Sequence, residues 1–531
     1  MHEKLFHEKL FPLVNEGCSQ NELGWRYGGL DIWPIVKAQI LTRASNIYNA
    51  GRPMALSPAT QIAQESLLRR LVSRFRKPPF EAVKAEDIPD LNWPSLPEEA
   101  LTANVLCLGY ATNQKKFDES YFQLCMDPLR MALEKVGVHS ACLITGLKQS
   151  DEAIAKAALK ETYGIEAQFK AVRAMAKSLP PVDLLEYPGF RKFWRGLESL
   201  LGGMFMPIEH LEKIIRETTA VGHWLHHSLK RSDVKGVIVS AYYGLMGHGG
   251  AWACHRLGMP IFDVQHGIAG KGHHAYSWPN APLAGFNTVP DGFLTWSQAE
   301  ADDMRSVAGA SRPTLIPIGN VWRLLEDMLE DSQASRLLEK DVADRVNAYL
   351  RQETQTILSA KERVAGTIDI LLALHPEERV PWLNALVGQT DGRWRFWIRA
   401  HPGELRNLHA LEERRREVSD NVFLIESSKA PLNVILRNVD VILTKYSSVA
   451  FDAAAFGVPT VAYSEAARFF FGSSLAETVG FALPAADSIM SAIDAQTSGG
   501  SVKPQRGTID LHTLGGELKT ALTATRDLSS L

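Results

Sequence analysis

The sequence predicts an α/β protein of two Rossmann-like units whose parallel sheets face each other across a cleft, and three observations predict it. At 531 residues the chain exceeds what one hydrophobic core ordinarily supports. Short apolar runs alternate with helical stretches in two successive series, separated by a charged helical segment at 321–354. The runs are continuously hydrophobic, as strands covered on both faces are. A net charge of −3 with no domain-wide basic excess argues against bulk nucleic-acid binding. Cys18, Cys107, Cys125, Cys142 and Cys254 are scattered without any C-x-x-C spacing, which suggests cytoplasmic thiols and neither a disulfide framework nor a structural zinc site. No run approaches the ~18 apolar residues of a membrane span, and the start, MHEKLFHEKLFPLV, is too charged for a secretory signal.

Residues 1–100 read as a helical extension. Within it, SLLRRLVSRFRKPPF places Leu67, Leu68, Leu71, Val72 and Phe75 on one helical face, ringed by Arg69, Arg70, Arg74, Arg76 and Lys77. Such a helix is either a solvated surface element or a contact with a membrane surface through 67–77. Residues 101–315 form the first Rossmann-like unit. Its expected strands are NVLCLGY (104–110), KGVIVSAYY (235–243), MPIFDVQHG (259–267) and DGFLTWS (291–297). The helix DPLRMALEKVG (127–137) ends on glycine, and a helical stretch runs from about 151 to 230. The glycines of GLMGHGGAWACHRLG (244–258) fit neither G-x-x-x-x-G-K-[ST] nor a full G-x-G-x-x-G, so close packing or room for a second molecule is the better reading.

The second unit, 316–505, opens after LIPIGN (315–320). Five strands are expected: TIDILLALHPEE (367–378), WRFWIRAHPGE (394–404), NVFLIESS (421–428), VDVILTKYSS (439–448) and PTVAY (459–463). Residues 506–531 complete the chain as a polar helix placed to cross back to the first unit.

Candidate site residues fall at strand ends. YSSVAFDAAAFGVPTVAY (446–463) reads as strand end, polar loop, helix, Gly-Val-Pro turn and strand, which is half of a βαβ unit. Ser447 and Ser448 then lie at the carboxyl edge of a parallel sheet, where ligands bind. There they either cap the helix or, with its first N–H groups, face an anion. Two other strands end in His-Pro, His375-Pro376 and His401-Pro402, and proline stops the strand at each histidine. Arg399 shares a strand face with His401. Arg399, His401, Pro402, Ser447 and Ser448 are the expected phosphate-binding group. In the first unit His266 follows a strand and precedes Gly267 and Gly270, where the backbone can turn sharply. A histidine that titrates near neutrality suits a general base, although a buried structural histidine has the same signature. Asp263 is the rival base, and Lys271 is placed to neutralise a leaving phosphate. No Asp-x-Asp cluster stands at a strand end, so no metal or other cofactor is expected.

The succession QHG, IPIGN, R-x-HP, then YSS with a short helix and FGVPTVAY resembles the GT-B fold transferases of bacterial surface polysaccharides. Its HP and SS pairs are similar to those of sialyltransferases and capsule Kdo transferases. QHG with its lysine is also similar to the teichoic-acid polymerases that use CDP-linked polyols, and GGLDIWPIVKAQI (28–40) resembles a segment of capsule and surface-carbohydrate proteins. The resemblance implies a GT-B fold and an inverting glycosyltransferase of capsule or lipopolysaccharide assembly. The implied partners are a nucleotide-activated sugar and a saccharide or lipid-linked saccharide acceptor, met in the cytoplasm or at the inner membrane face. It puts His401, Ser447 and Ser448 at the donor phosphate and His266 at the acceptor hydroxyl. His375, Asn320, Tyr446 and Asp452 are further donor-site candidates, Asp452 standing where many such transferases have glutamate. The alternatives are a CDP-polyol phosphotransferase, a nucleotide-sugar epimerase and a non-catalytic scaffold of a polysaccharide assembly complex.

Overall fold

The computed structural model describes residues 10, 14, 25–49, 82–146, 150–201, 206–279, 281–321, 338, 341–362, 368–375, 380–390, 392–401, 421–471, 475, 478–498 and 510–523. The basic segment 67–77 and Pro402 lie outside them. Among the described residues no helix is long and apolar enough to cross a membrane.

A hairpin of β1 (Arg26–Tyr27) and β2 (Leu30–Asp31) precedes the helix Trp33–Asn49. This segment is fastened to the first unit. Asp31 accepts from the backbone N–H of Asn287 at 2.8 Å, Asn287 Nδ2 donates to the Gly29 carbonyl at 3.0 Å, and buried Lys37 lies 4.0 Å from the Trp278 ring centre.

The first unit contains β3 (Val105–Tyr110), a side hairpin of β4 (Gln114–Phe117) and β5 (Ser120–Gln123), β6 (Ser140–Thr145), β7 (Thr162–Gly164), β8 (Gly236–Ser240), β9 (Ile261–Val264), β10 (Gly292–Thr295) and β11 (Thr314–Pro317). Seven of these strands form one parallel sheet in the order β11-β10-β9-β8-β3-β6-β7. The second unit contributes β12 (Ile368–Ala373), β13 (Trp394–Arg399), β14 (Val422–Phe423), β15 (Val441–Thr444), β16 (Thr460–Ala462) and β17 (Val479–Phe481). They form a parallel sheet in the order β14-β13-β12-β15-β16-β17. Each order reverses once, between β3 and β8 and between β12 and β15. At such a reversal the connections leave on opposite faces of the sheet and open a crevice at the carboxyl edge. Two doubly wound parallel sheets are the GT-B architecture.

Four strands of the two sheets are absent from the expected series, β11 (Thr314–Pro317) at the edge of the first sheet being one of them. β6 (Ser140–Thr145) and β7 (Thr162–Gly164) extend the first sheet, and β17 (Val479–Phe481) closes the second. Residues 421–428 yield only a two-residue strand before the helix Ile425–Lys429. The polar run Glu426-Ser427-Ser428 turns back over β13, where Ser428 Oγ accepts from Ala400 N at 3.1 Å.

One apolar core joins the sheets. Phe262, Val264 and Leu294 of the first unit cluster with Leu371, Trp397 and Ile442 of the second. Leu514, Leu518 and Leu522, on the helix Leu511–Thr523, belong to the same cluster. That helix lies against Asp127–Lys135 so closely that a Cβ on Gly515 would stand 2.2 Å from the Ala132 carbonyl oxygen.

Candidate functional site

The carboxyl edge of the second sheet at its β12–β15 reversal gathers most of the sequence candidates. Thr444 Oγ1 donates to the Ala373 carbonyl at 3.1 Å, tying the two strand ends, and accepts from Ser447 N at 3.2 Å. The chain then enters the helix Val449–Phe456, which Gly457 ends with φ of 74°, a left-handed turn that returns it to β16. Ser447 Oγ accepts from Val449 N at 3.4 Å, so this hydroxyl does cap the helix start; Ser448 makes no side-chain capping bond. Beside the loop, the His375 and Tyr446 rings lie 4.3 Å apart, and Phe470 stacks on Tyr446 at 4.6 Å. Burial, with the charges of Lys445 and then His401 nearby, lowers the His375 pKa to about 4. The edge thus holds His375 neutral next to an exposed His401.

Two arginines on one face of β13 show what is unusual here. Arg395 is bidentate on Asp369, at 2.8 and 2.7 Å, within a buried network that includes Trp397 Nε1 and Lys361. Arg399 stands four residues on, at the carboxyl edge. Its Nη1 donates to the backbone carbonyls of Ser427 and Ala430 at 2.6 and 2.8 Å, and no carboxylate of the described residues lies within ion-pair distance. Burial drops its pKa to about 10 against the partial support of the Asp452 charge. A partly buried cation held only by backbone carbonyls carries a desolvation cost, and an anion in the crevice would offset that cost.

The first sheet presents its own edge. Ala241 follows β8 at φ of 54°, a backbone conformation that L-residues adopt at a cost, and the turn sends Tyr242 and Tyr243 in different directions. Tyr242 is buried, while Tyr243 Oη lies 3.0 Å from His266 Nε2. His266 Nδ1 is 3.5 Å from the Val264 carbonyl, and burial lowers the ring's pKa, outweighing that contact. His273 packs between Tyr243 and Tyr276, 5.1 Å from each. Asp263 is fully buried behind these rings and accepts from Tyr276 Oη at 2.7 Å and from Tyr242 N at 3.1 Å. Burial raises its pKa to about 8. Its geometry is that of a structural carboxyl group facing away from solvent.

The preceding Gln265 sets the His266 loop. Its Oε1 accepts from Trp296 N at 2.8 Å and its Nε2 donates to the Gly267 carbonyl and to Glu300, at 2.9 and 2.5 Å. Glu300 in turn accepts from Ser297 Oγ, the cap of the helix Gln298–Ser306. The loop then packs on the second unit through Ile268, and Trp296 meets Phe451 edge to face at 6.0 Å. A further tie crosses the seam: Asn320 Nδ2 donates to Asp452 Oδ1 at 2.5 Å.

The structure therefore brings Arg399, His401, His375, Tyr446, Ser447 and Ser448 to one sheet edge, with Asn320 and Asp452 at the seam beside it and His266 on the facing unit. Lys271 stands apart: its Nζ pairs with Asp303 at 3.5 Å and its backbone N–H donates to the same carboxylate at 2.8 Å. The glycines of 244–250 serve packing. A Cβ on Gly247 would lie 2.2 Å from the Tyr242 backbone, and one on Gly249 2.8 Å from Gly222 N on the neighbouring helix. Sequence reasoning missed Tyr243, which was legible as an aromatic at a strand end.

No protein-family model matches the chain, and no curated protein matches it. Solved structures similar to it include the UDP-GlcNAc 2-epimerase of Neisseria meningitidis bound to UDP-GlcNAc, 15% identical over 79% of this chain and 99% of that one with a TM-score of 0.45. The S. aureus MnaA–UDP structure is 13% identical over 78% of this chain and 94% of its own, TM-score 0.43. The wall teichoic acid polymerase TagF is 10% identical over 80% and 90%, TM-score 0.40. At identities this low, the activities of those proteins do not transfer to this chain.

Proposed function

We propose that this protein is a metal-independent glycosyltransferase that moves a sugar from a nucleotide-activated donor to a hydroxyl of a saccharide or lipid-linked saccharide, in the cytoplasm at the inner face of the membrane. The observation that carries the reading is Arg399, a partly buried cation without a carboxylate partner among the described residues, beside the Ser447–Ser448 loop where the second sheet reverses. Arg399, Ser448 and the first N–H groups of the helix Val449–Phe456 receive the charge that builds on the departing nucleotide phosphate. His266 is the base. Its lowered pKa keeps the ring neutral near pH 7, and with Nδ1–H turned to the Val264 carbonyl, Nε2 accepts from the Tyr243 hydroxyl. The acceptor's proton passes to the Tyr243 oxygen as the Tyr243 proton passes to His266, while the acceptor oxygen attacks the anomeric carbon.

The test is turnover of a panel of nucleotide sugars with and without saccharide acceptors, following released nucleotide and product. Acceptor-dependent sugar transfer is expected, and His266→Ala should lower turnover about 10²–10⁴-fold while nucleotide affinity holds. Donor consumed without an acceptor would make the protein an epimerase. CMP released with a polyol phosphate in the product would make it a phosphotransferase, and no nucleotide binding at all would leave only the scaffold reading.

A further inference from the structure

Trp296 stands directly after β10, half-buried where the two units meet. The β9–β10 ladder ends with Gln265 N donating to the Leu294 carbonyl at 2.9 Å. The next bond of a parallel ladder would run from Trp296 N to the Gln265 carbonyl. Here each of these backbone groups takes the other residue's side chain instead. Trp296 N donates to Gln265 Oε1 at 2.8 Å, and the indole Nε1–H of Trp296 donates to the Gln265 carbonyl at 3.0 Å. The second bond bears directly on His266, because the Gln265 carbonyl and the His266 N–H belong to one planar peptide group. Holding that carbonyl holds the plane from which the His266 side chain departs.

The same indole reaches the other unit. Its ring meets Phe451 edge to face at 6.0 Å, and Phe451 lies in the first turn of the helix Val449–Phe456, where its N–H donates to the Ser448 carbonyl at 3.0 Å. The next residue, Asp452, accepts from Asn320 Nδ2 at 2.5 Å. Asn320 follows β11, which pairs with β10 at Pro317 and Thr295. Two neighbouring strand ends of the first sheet thus grip two successive residues of the helix whose start is the proposed phosphate site. We infer that Trp296 is a positioning residue: with its indole N–H on the Gln265 carbonyl and its ring on Phe451, it sets the direction of His266 and its distance from the donor phosphate. The inference rests on the reading of His266 as the base and of the Ser447–Ser448 loop as the phosphate site, and it deepens that reading. Trp296 acts through Gln265 on one side of the seam and through Phe451 on the other.

The test reads the His266 ring by nitrogen NMR of histidine-labelled protein, with His266→Gln to assign its signals, in wild type, Trp296→Phe, Trp296→Leu and Phe451→Leu. The groups facing that ring, the Tyr243 hydroxyl and the Val264 carbonyl, are untouched by these substitutions. Wild type should show the Nδ1–H tautomer and a pKa below the ordinary histidine value. Loss of the indole N–H in Trp296→Phe should populate both tautomers and raise the pKa toward that value. Trp296→Leu should do so further, and Phe451→Leu in the same direction by less. With donor and acceptor present, kcat of Trp296→Leu should fall about 10- to 100-fold at unchanged donor KM. A role in folding alone would lower the melting temperature and leave the His266 titration in place. Trp296→Phe, the mildest change, keeps the test decisive where Trp296→Leu fails to fold. An unchanged ring in the Trp296 variants would overturn the inference, and an unchanged ring in Phe451→Leu alone would overturn its reach across the seam. Because the ring is read without turnover, a displaced His266 in the Trp296 variants with no sugar transfer by wild type would remove the transferase reading and leave the placement of His266 by Trp296 standing.

Discussion

Asp263 illustrates how burial changes what a residue contributes. On sequence it competed with His266 as a base, because both stand at the end of one strand. In the structure its carboxyl group is enclosed by Tyr242 and Tyr276, and burial raises its pKa to about 8. A carboxyl whose pKa is about 8 folded and ~3.9 unfolded keeps a proton in the native state that the unfolded chain has lost. Its contribution is complete below about pH 4 and disappears as pH rises through about 8. Asp263→Asn keeps an acceptor at Oδ1 for the Tyr242 N–H and places an Nδ2 donor against the Tyr276 hydroxyl oxygen, without that titration. The stability difference between the variant and wild type should therefore shift in the variant's favour between pH 5 and pH 8.5, measured by urea denaturation at each pH. A difference that stays flat would mean that Asp263 is ionised in the native state.

At the scale of elements, the periodicity of long apolar runs revealed β3, β8, β12, β13 and β15, and the His-Pro and Ser-Ser breaks located the second sheet's carboxyl edge. Other elements left weaker traces. Ser140–Thr145 is as apolar as its neighbours and is flanked by Gly137 and Gly146, at φ of 72° and 81°, so its signal stands in the sequence and is overlooked when the segment is read from its helices. Thr162–Gly164 and Val479–Phe481 are three residues each, too short for any period to register. Glycine carried a real signal whose meaning only packing could resolve. Gly247 lies where the helix Leu245–Leu257 presses on the Tyr242 backbone. Gly247→Ala should destabilise the fold by about 1–3 kcal/mol through overpacking, read as a lower urea midpoint, with nucleotide affinity unchanged in the folded fraction. A selective loss of nucleotide affinity at full stability would restore the phosphate-loop reading.

At the scale of the whole molecule, two doubly wound sheets share a continuous apolar core, and the helix Leu511–Thr523 returns to pack on the first unit. The seam between the sheets is polar where the chemistry is proposed, with Asn320 bonded to Asp452 and the His266 loop against the second unit. This division has a physical logic. The apolar core fixes the approach of the units, so the cleft can hold Arg399 without a carboxylate partner among the described residues and a strained turn at Ala241. The central claim is that Arg399 and the Ser447–Ser448 loop hold a nucleotide phosphate. Its most direct test is calorimetric titration of CMP, CDP, UDP and GDP into wild type, Arg399→Met and the double variant Ser447→Ala/Ser448→Ala. One nucleotide should bind wild type at one site per chain, about 10- to 100-fold more weakly to Arg399→Met, with a smaller loss in the serine variant. Equal affinity in all three proteins, or no binding of any nucleotide to wild type, would contradict it.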